Sequence, residues 1–130
     1  MCIRDRYDAA VAKAPGDVEN YLKRGRFLVS ESLDLSIKDF RKILELDPSN
    51  SKGLAALGAA LAQQGDYAEA ETLLSKAVQQ NPNDSNTLAN LAEVQRNLGQ
   101  LGKANETIAL AIKNAPKIWR YHFVLSLIHI

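Results

Sequence analysis

Residues 54–84 read LAALGAALAQQGDYAEAETLLSKAVQQNPND, and two helices joined by a turn account for the whole stretch. Leu54, Leu57 and Leu61 recur at helical intervals, as do Ala70, Leu74 and Ala77, so each half carries one apolar stripe. Lys76, Gln79 and Gln80 fall on the outer side, where water reaches them. Between the halves, Gly65 can take the left-handed conformation that ends a helix, and Tyr67 is placed to pack back over the hairpin. Gly58 and Ala70 sit where the paired helices cross most closely, where a larger side chain would force the backbones apart. Pro82 stops the second helix, because it has no N–H to donate and disfavours helical geometry in the residue before it.

Outward from this stretch the pattern recurs. The chain has four prolines, Pro15, Pro48, Pro82 and Pro116, separated by 33, 34 and 34 residues. Aligning on them brings Tyr7, Phe40, Leu74 and Ile108 into one bulky column, and Ala10, Ile43, Ala77 and Ala111 into another. Tyr21, Leu54 and Leu88 form a third. Gly25, Gly58 and Ala92 form a small column, as do Ser36, Ala70 and Ala104. Asp17 and Asp84 precede the helices that follow their prolines and are placed to cap them. The expected organisation is the end of one unit at 7–16, complete units at 17–50, 51–84 and 85–118, and the opening of another at 119–124. The unit at 17–50 departs from the rest. Arg24 stands in the column of Leu57 and Leu91, and Gly25 lies 11 residues before Ser36 where Gly58 lies 12 before Ala70. The short turn Ser30-Glu31-Ser32 is expected to absorb the deletion.

The two ends read differently. MCIRDR is encoded by ATG TGT ATA AGA GAC AGN, whose reverse complement, CTG TCT CTT ATA CAC AT, translates as the final LSLIHI. One DNA segment therefore explains both ends, and it resembles the transposase mosaic end used to tag DNA for sequencing. Residues 1–6 and 125–130 are accordingly expected to be translated adapter, flanking a metagenomic fragment of a longer protein. Setting them aside removes Cys2 and His129, leaves His122 as the remaining histidine, and turns a net charge of +1 into formal neutrality. A neutral segment has no basic excess for nucleic acid or acidic lipid, and its apolar runs fall well short of the roughly 20 residues of a membrane span. No nucleic-acid or membrane partner is expected, and the sequence assigns no compartment.

In period, small columns, turn glycine and closing proline, residues 54–84 resemble a tetratricopeptide repeat nearly residue for residue, and the resemblance covers almost all of Tyr7–Val124. It implies an all-α, right-handed α-solenoid of stacked antiparallel helix hairpins, with the first helix of each unit lining a concave wall that binds a peptide or partner helix. Carried onto this chain, the groove residues are Glu19, Leu22, Arg26 and Val29, then Lys52, Ala55, Ala59 and Gln63, then Asn86, Ala89, Glu93, Arg96 and Asn97. The ladder Ala55, Ala59 and Ala89 forms a shallow trough rimmed by Lys52, Arg26 and Arg96. High helix propensity and tight stacking explain the same alanines without a ligand, and Glu93 and Arg96, three residues apart, are spaced to pair with each other. The carboxylate clamp by which some members grip chaperone tails is not assembled: Ala55 and Ala59 stand where a lysine and an asparagine are wanted, and only Asn90 and Arg120 match.

An enzyme would need acid–base pairs, a nucleophile with its base, or converging metal ligands, and the sequence offers none. No catalytic, cofactor or metal residue is expected. The functional expectation is a protein–protein interaction scaffold with a protein or peptide ligand, able to self-associate through uncapped ends. The alternative is a non-catalytic substrate-docking or spacer arm of a larger enzyme, such as a glycosyltransferase or kinase.

Overall fold

A computed structural model describes residues 2–129. Those residues form eight helices: α1 (Ile3–Lys13), α2 (Val18–Glu31), α3 (Leu33–Leu46), α4 (Ser51–Gln64), α5 (Tyr67–Gln80), α6 (Ser85–Asn97), α7 (Leu101–Asn114) and α8 (Trp119–Ile128). Helices α2 and α3, α4 and α5, and α6 and α7 pair as antiparallel hairpins, and α1 and α8 pack on the two ends of the stack.

The stops and starts follow from local chemistry. The second helices α3, α5 and α7, like α1, each end two residues before a proline. Gly65 (φ 95°) and Gly99 (φ 80°) take the left-handed conformation after α4 and α6. Asp17 accepts a hydrogen bond from the Glu19 amide at 3.0 Å and Asp84 from the Thr87 amide at 3.3 Å, capping α2 and α6. Asn50, which the sequence pattern had not singled out, caps α4 by accepting from the Gly53 amide at 2.8 Å. In the shorter unit, Ser32 alone links α2 to α3, ending one helix and beginning the next.

Close approach explains the small columns. A Cβ at Gly58 would lie 2.6 Å from Leu74 Cγ, and one at Gly25 would lie 2.5 Å from Phe40 Cε1. Ser36 occupies the equivalent of Ala70 without cost, because its buried hydroxyl donates to the Gly25 carbonyl at 2.8 Å. Around these crossings, Phe40, Ile43, Leu57, Leu61, Leu74, Leu88 and Ile108 are fully buried. Fully burying one such side chain contributes roughly 1.5–3 kcal/mol.

The stacking also sets the curvature. Successive first helices, α2 with α4, α4 with α6 and α6 with α8, approach within 8 Å between Cα atoms, whereas among the described residues successive second helices do not. The first helices therefore lie on the inside of the curve. The segments read as adapter continue the end helices: α1 begins at Ile3, and in α8 Ile128 is buried against the α6–α7 hairpin. Met1 and Ile130 lie outside the described residues.

Candidate ligand-binding groove

The concave side holds two adjoining hollows. The larger, about 480 Å³, is lined by Arg26 and Val29 of α2, by Lys52, Ala55, Ala56, Ala59 and Gln63 of α4, and by Asn86 and Asn90 of α6. The smaller, about 260 Å³, shares Ala59, Gln63 and Asn90 and adds Tyr67, Glu93, Asn97 and Arg120. Together they make a trough across three first helices and the start of a fourth, with alanine on its floor and amides on its walls.

Of the residues expected in the groove, Arg26, Lys52, Ala55, Ala59, Gln63, Asn86, Glu93 and Asn97 line these hollows, as does Val29. Four others do not. Glu19 is exposed in the first turn of α2 and lines neither hollow, its amide being the one that Asp17 caps. Leu22 is 3% exposed and belongs to the core between α2 and its neighbours, because a leucine in the column of Ala55 fills the seam that alanine leaves open. Ala89 is 0% exposed, since it shares a cluster with Tyr121 and Val124 of α8, whereas the helix following Ala55 places the short amides Asn86 and Asn90 beside the same hollow. Arg96 lines neither hollow; it is half-buried, and its Nε has no hydrogen-bond partner among the described residues. Nor does Arg96 pair with Glu93. Glu93 instead accepts from Arg120 at 3.1 Å, and the same guanidinium nitrogen donates to Asn90 Oδ1 at 3.0 Å. The alanine ladder is thus two rungs, Ala55 and Ala59, and its rim cations are Arg26 and Lys52.

The electrostatics of the trough are uneven. Glu93 is neutralised by Arg120, and Asp84 is occupied by the amide and hydroxyl of Thr87. Asn86 accepts from the Tyr121 hydroxyl at 2.7 Å. Burial of Tyr121 raises its phenol above the ordinary range, so it stays a donor. Arg26 and Lys52 are exposed, and among the described residues neither has a carboxylate within 4 Å. One end of the trough therefore carries two free positive charges, and the other is internally balanced.

The polar cluster that the sequence reading missed lies in the hairpin seam. Arg24 donates to Asp39 at 2.7 and 2.9 Å and to Asp8 at 3.2 Å. Asp39 stands in the column of Leu73 just as Arg24 stands in that of Leu57, and two opposite charges in facing columns that are free of charge in the other complete units were the available signal. Among the described residues no group of three or more His, Cys, Asp or Glu is arranged to hold a metal, and no helix is long and apolar enough to cross a membrane. His122 is exposed, with Nε2 2.8 Å from the Pro116 carbonyl.

Hairpins of this length, stacked with first helices inside the curve, define a helical-repeat scaffold. The chain belongs to the tetratricopeptide repeat family, whose model matches residues 30–86 and, overlapping, 61–122. It is 35% identical over 77 residues to bacteriophage adsorption protein A of Escherichia coli K12, a match covering 59% of this chain and 8% of that protein's length. Among solved structures it resembles MamA from Desulfovibrio magneticus RS-1, with a TM-score of 0.89 at 22% identity, covering 97% of this chain and 72% of that one. The first repeat domain of Spaghetti (RPAP3), solved bound to an HSP90 peptide, superposes with a TM-score of 0.82 at 18% identity, covering 86% and 90%. An O-GlcNAc transferase from Thermobaculum terrenum superposes with a TM-score of 0.82 at 22% identity, covering 98% of this chain and 23% of that one. At these identities the structural likeness is one of fold.

Proposed function

We propose that this stretch is a peptide-binding scaffold whose trough takes an extended segment, with small side chains on Ala55 and Ala59 and a carboxylate toward Arg26 and Lys52. The observation that carries the reading is the pair of free cations beside an open alanine floor, since every other charged side chain named in the trough already has a partner. A backbone laid along the floor would meet Gln63 and Asn90, amides suited to main-chain N–H and C=O groups. A bulky amphipathic helix fits less well, because amide and charged side chains line the walls beside the alanines.

The test is selection from a random peptide library on the immobilised chain, followed by titration of the selected peptides. Acidic peptides should be enriched, and Ala59→Glu, which places a charge and extra volume on the floor, should weaken their binding at least about tenfold, or 1.4 kcal/mol. Arg26→Gln with Lys52→Gln should erase the preference for acidic sequences and flatten the salt dependence. Equal binding by all three proteins would sink the reading. The fold shared with an O-GlcNAc transferase supports a second reading, in which the same trough docks a substrate for a catalytic domain. In that case the selected sequences would be modified when fused to such a domain, rather than only held.

A further inference from the structure

The chain stacks three hairpins built to one plan, and interchangeable parts carry a hazard. Helices α2, α3, α4 and α5 have 14 residues each, and the columns that close one hairpin recur in the next. Between the first two hairpins, where a glycine faces a bulky residue at each crossing, apolar packing alone does little to prevent the first helix of one from pairing with the second helix of the other, within a molecule or between copies. One seam differs in kind. At the three aligned positions, the first hairpin and the helix before it place Asp8, Arg24 and Asp39, where the next set is Arg41, Leu57 and Leu73 and the one after is Ser75, Leu91 and Thr107.

Asp39 is 4% exposed, and Arg24 grips both of its oxygens while a third bond reaches Asp8 on α1. The contacts of this one side chain therefore join three successive helices. If α4 stood in for α2, the buried carboxylate would face Leu57; if α5 stood in for α3, the guanidinium would face Leu73. The first exchange strands a buried carboxylate in an apolar seam, which is strongly unfavourable, and the second leaves Arg24 only its bond to Asp8, whereas the matched pair is self-satisfied. Of the other charged groups beside the pair, Asp8 bonds Arg24 and Arg41 is held by Glu69, while Arg4 and Lys38 line the same hollow as Arg24 and Asp39.

We propose that Asp8, Arg24 and Asp39 form a register lock, which assigns α1, α2 and α3 to one another and bars α2 and α3 from pairing with the helices of a different repeat, whether in the same molecule or in another copy.

The lock is tested through Cys2, the exposed and only cysteine, which takes one dye per molecule. Donor- and acceptor-labelled pools of the full chain are either mixed folded, or unfolded together in guanidinium and refolded by dilution. Energy transfer that appears on mixing folded pools reports association of finished molecules. The excess seen only after joint refolding reports exchanged hairpins. R24L/D39L, with the apolar pair of the second hairpin, should show a several-fold greater excess than the unaltered chain, at equal or higher helical content by circular dichroism. R24D/D39R, which keeps the α2–α3 pair matched but sets two carboxylates together at positions 8 and 24, should fall back toward the unaltered level. L57R/L73D copies the lock into the second hairpin and should also raise the excess, since two hairpins then answer to the same partner. The proposal is overturned if R24L/D39L and L57R/L73D refold with no more exchange than the unaltered chain, or if R24D/D39R exchanges as freely as R24L/D39L. Should R24L/D39L fail to fold, L57R/L73D and R24D/D39R decide the matter between them.

Discussion

Gly58 and Gly102 are both helical glycines with opposite meanings. The first faces Leu74 across the tightest crossing of its hairpin, whereas a Cβ at the second would meet nothing within 4 Å. Gly58→Ala should therefore cost about 1–3 kcal/mol by overpacking, while Gly102→Ala should add up to about 0.5–1 kcal/mol through helix propensity. Urea midpoints of the two variants, measured together, check both signs. Glu69 offers a pH test at the same scale. Arg41 donates to both its oxygens, at 3.0 and 3.3 Å, and holds its carboxyl below the ordinary carboxylate range. A lowered value stabilises the fold above the unfolded-state value of about 4.3 and ceases to do so as the pH falls through the lowered one. Both partners are half exposed, so Glu69→Gln should cost only about 0.2–1 kcal/mol at neutral pH. That difference should vanish in unfolding curves taken at the acid end.

Single helices depend on their first turns. The Asp84 carboxylate holds the amide and the hydroxyl of Thr87 at the start of α6, the turn that also carries Asn86 into the groove. Asp84→Ala should cost about 1 kcal/mol and speed hydrogen exchange at the first amides of α6 before it affects α4. Elements of this kind were legible in advance. The closing prolines, the left-handed Gly65, and the small residues at the crossings each answer a demand that recurs at a fixed spacing. Facing was less legible. Ala55 and Ala89 occupy one column, yet Ala55 lines a hollow and Ala89 is fully buried, because α8 brings Tyr121 and Val124 to it. Periodicity places a residue on a face; the bulk of the next helix decides whether that face is a groove or a seam. Arg24 was visible as an exception, but its meaning lay 15 residues away in Asp39.

For the molecule as a whole, the end helices leave apolar surface uncovered. Trp119 is 75% exposed and Phe123 53%, with ring centroids 6.2 Å apart on the outer face of α8. We propose that this surface drives self-association. Trp119→Ser with Phe123→Ser should reduce the concentration dependence of the sedimentation coefficient, and an unchanged dependence would place the contact elsewhere. The spacing of the helices has a mechanical consequence. The first helices touch their neighbours directly, while α3 and α5 are tied on the outside by the long side chains of Arg41 and Glu69. A stack held closely on its inner wall and bridged by exposed side chains on its outer one is expected to yield first at the outer gaps. It can coil or uncoil by small changes in the outer gaps, with every hairpin intact. Salt, which screens an exposed ion pair such as Arg41–Glu69, is then expected to widen the range of coiling.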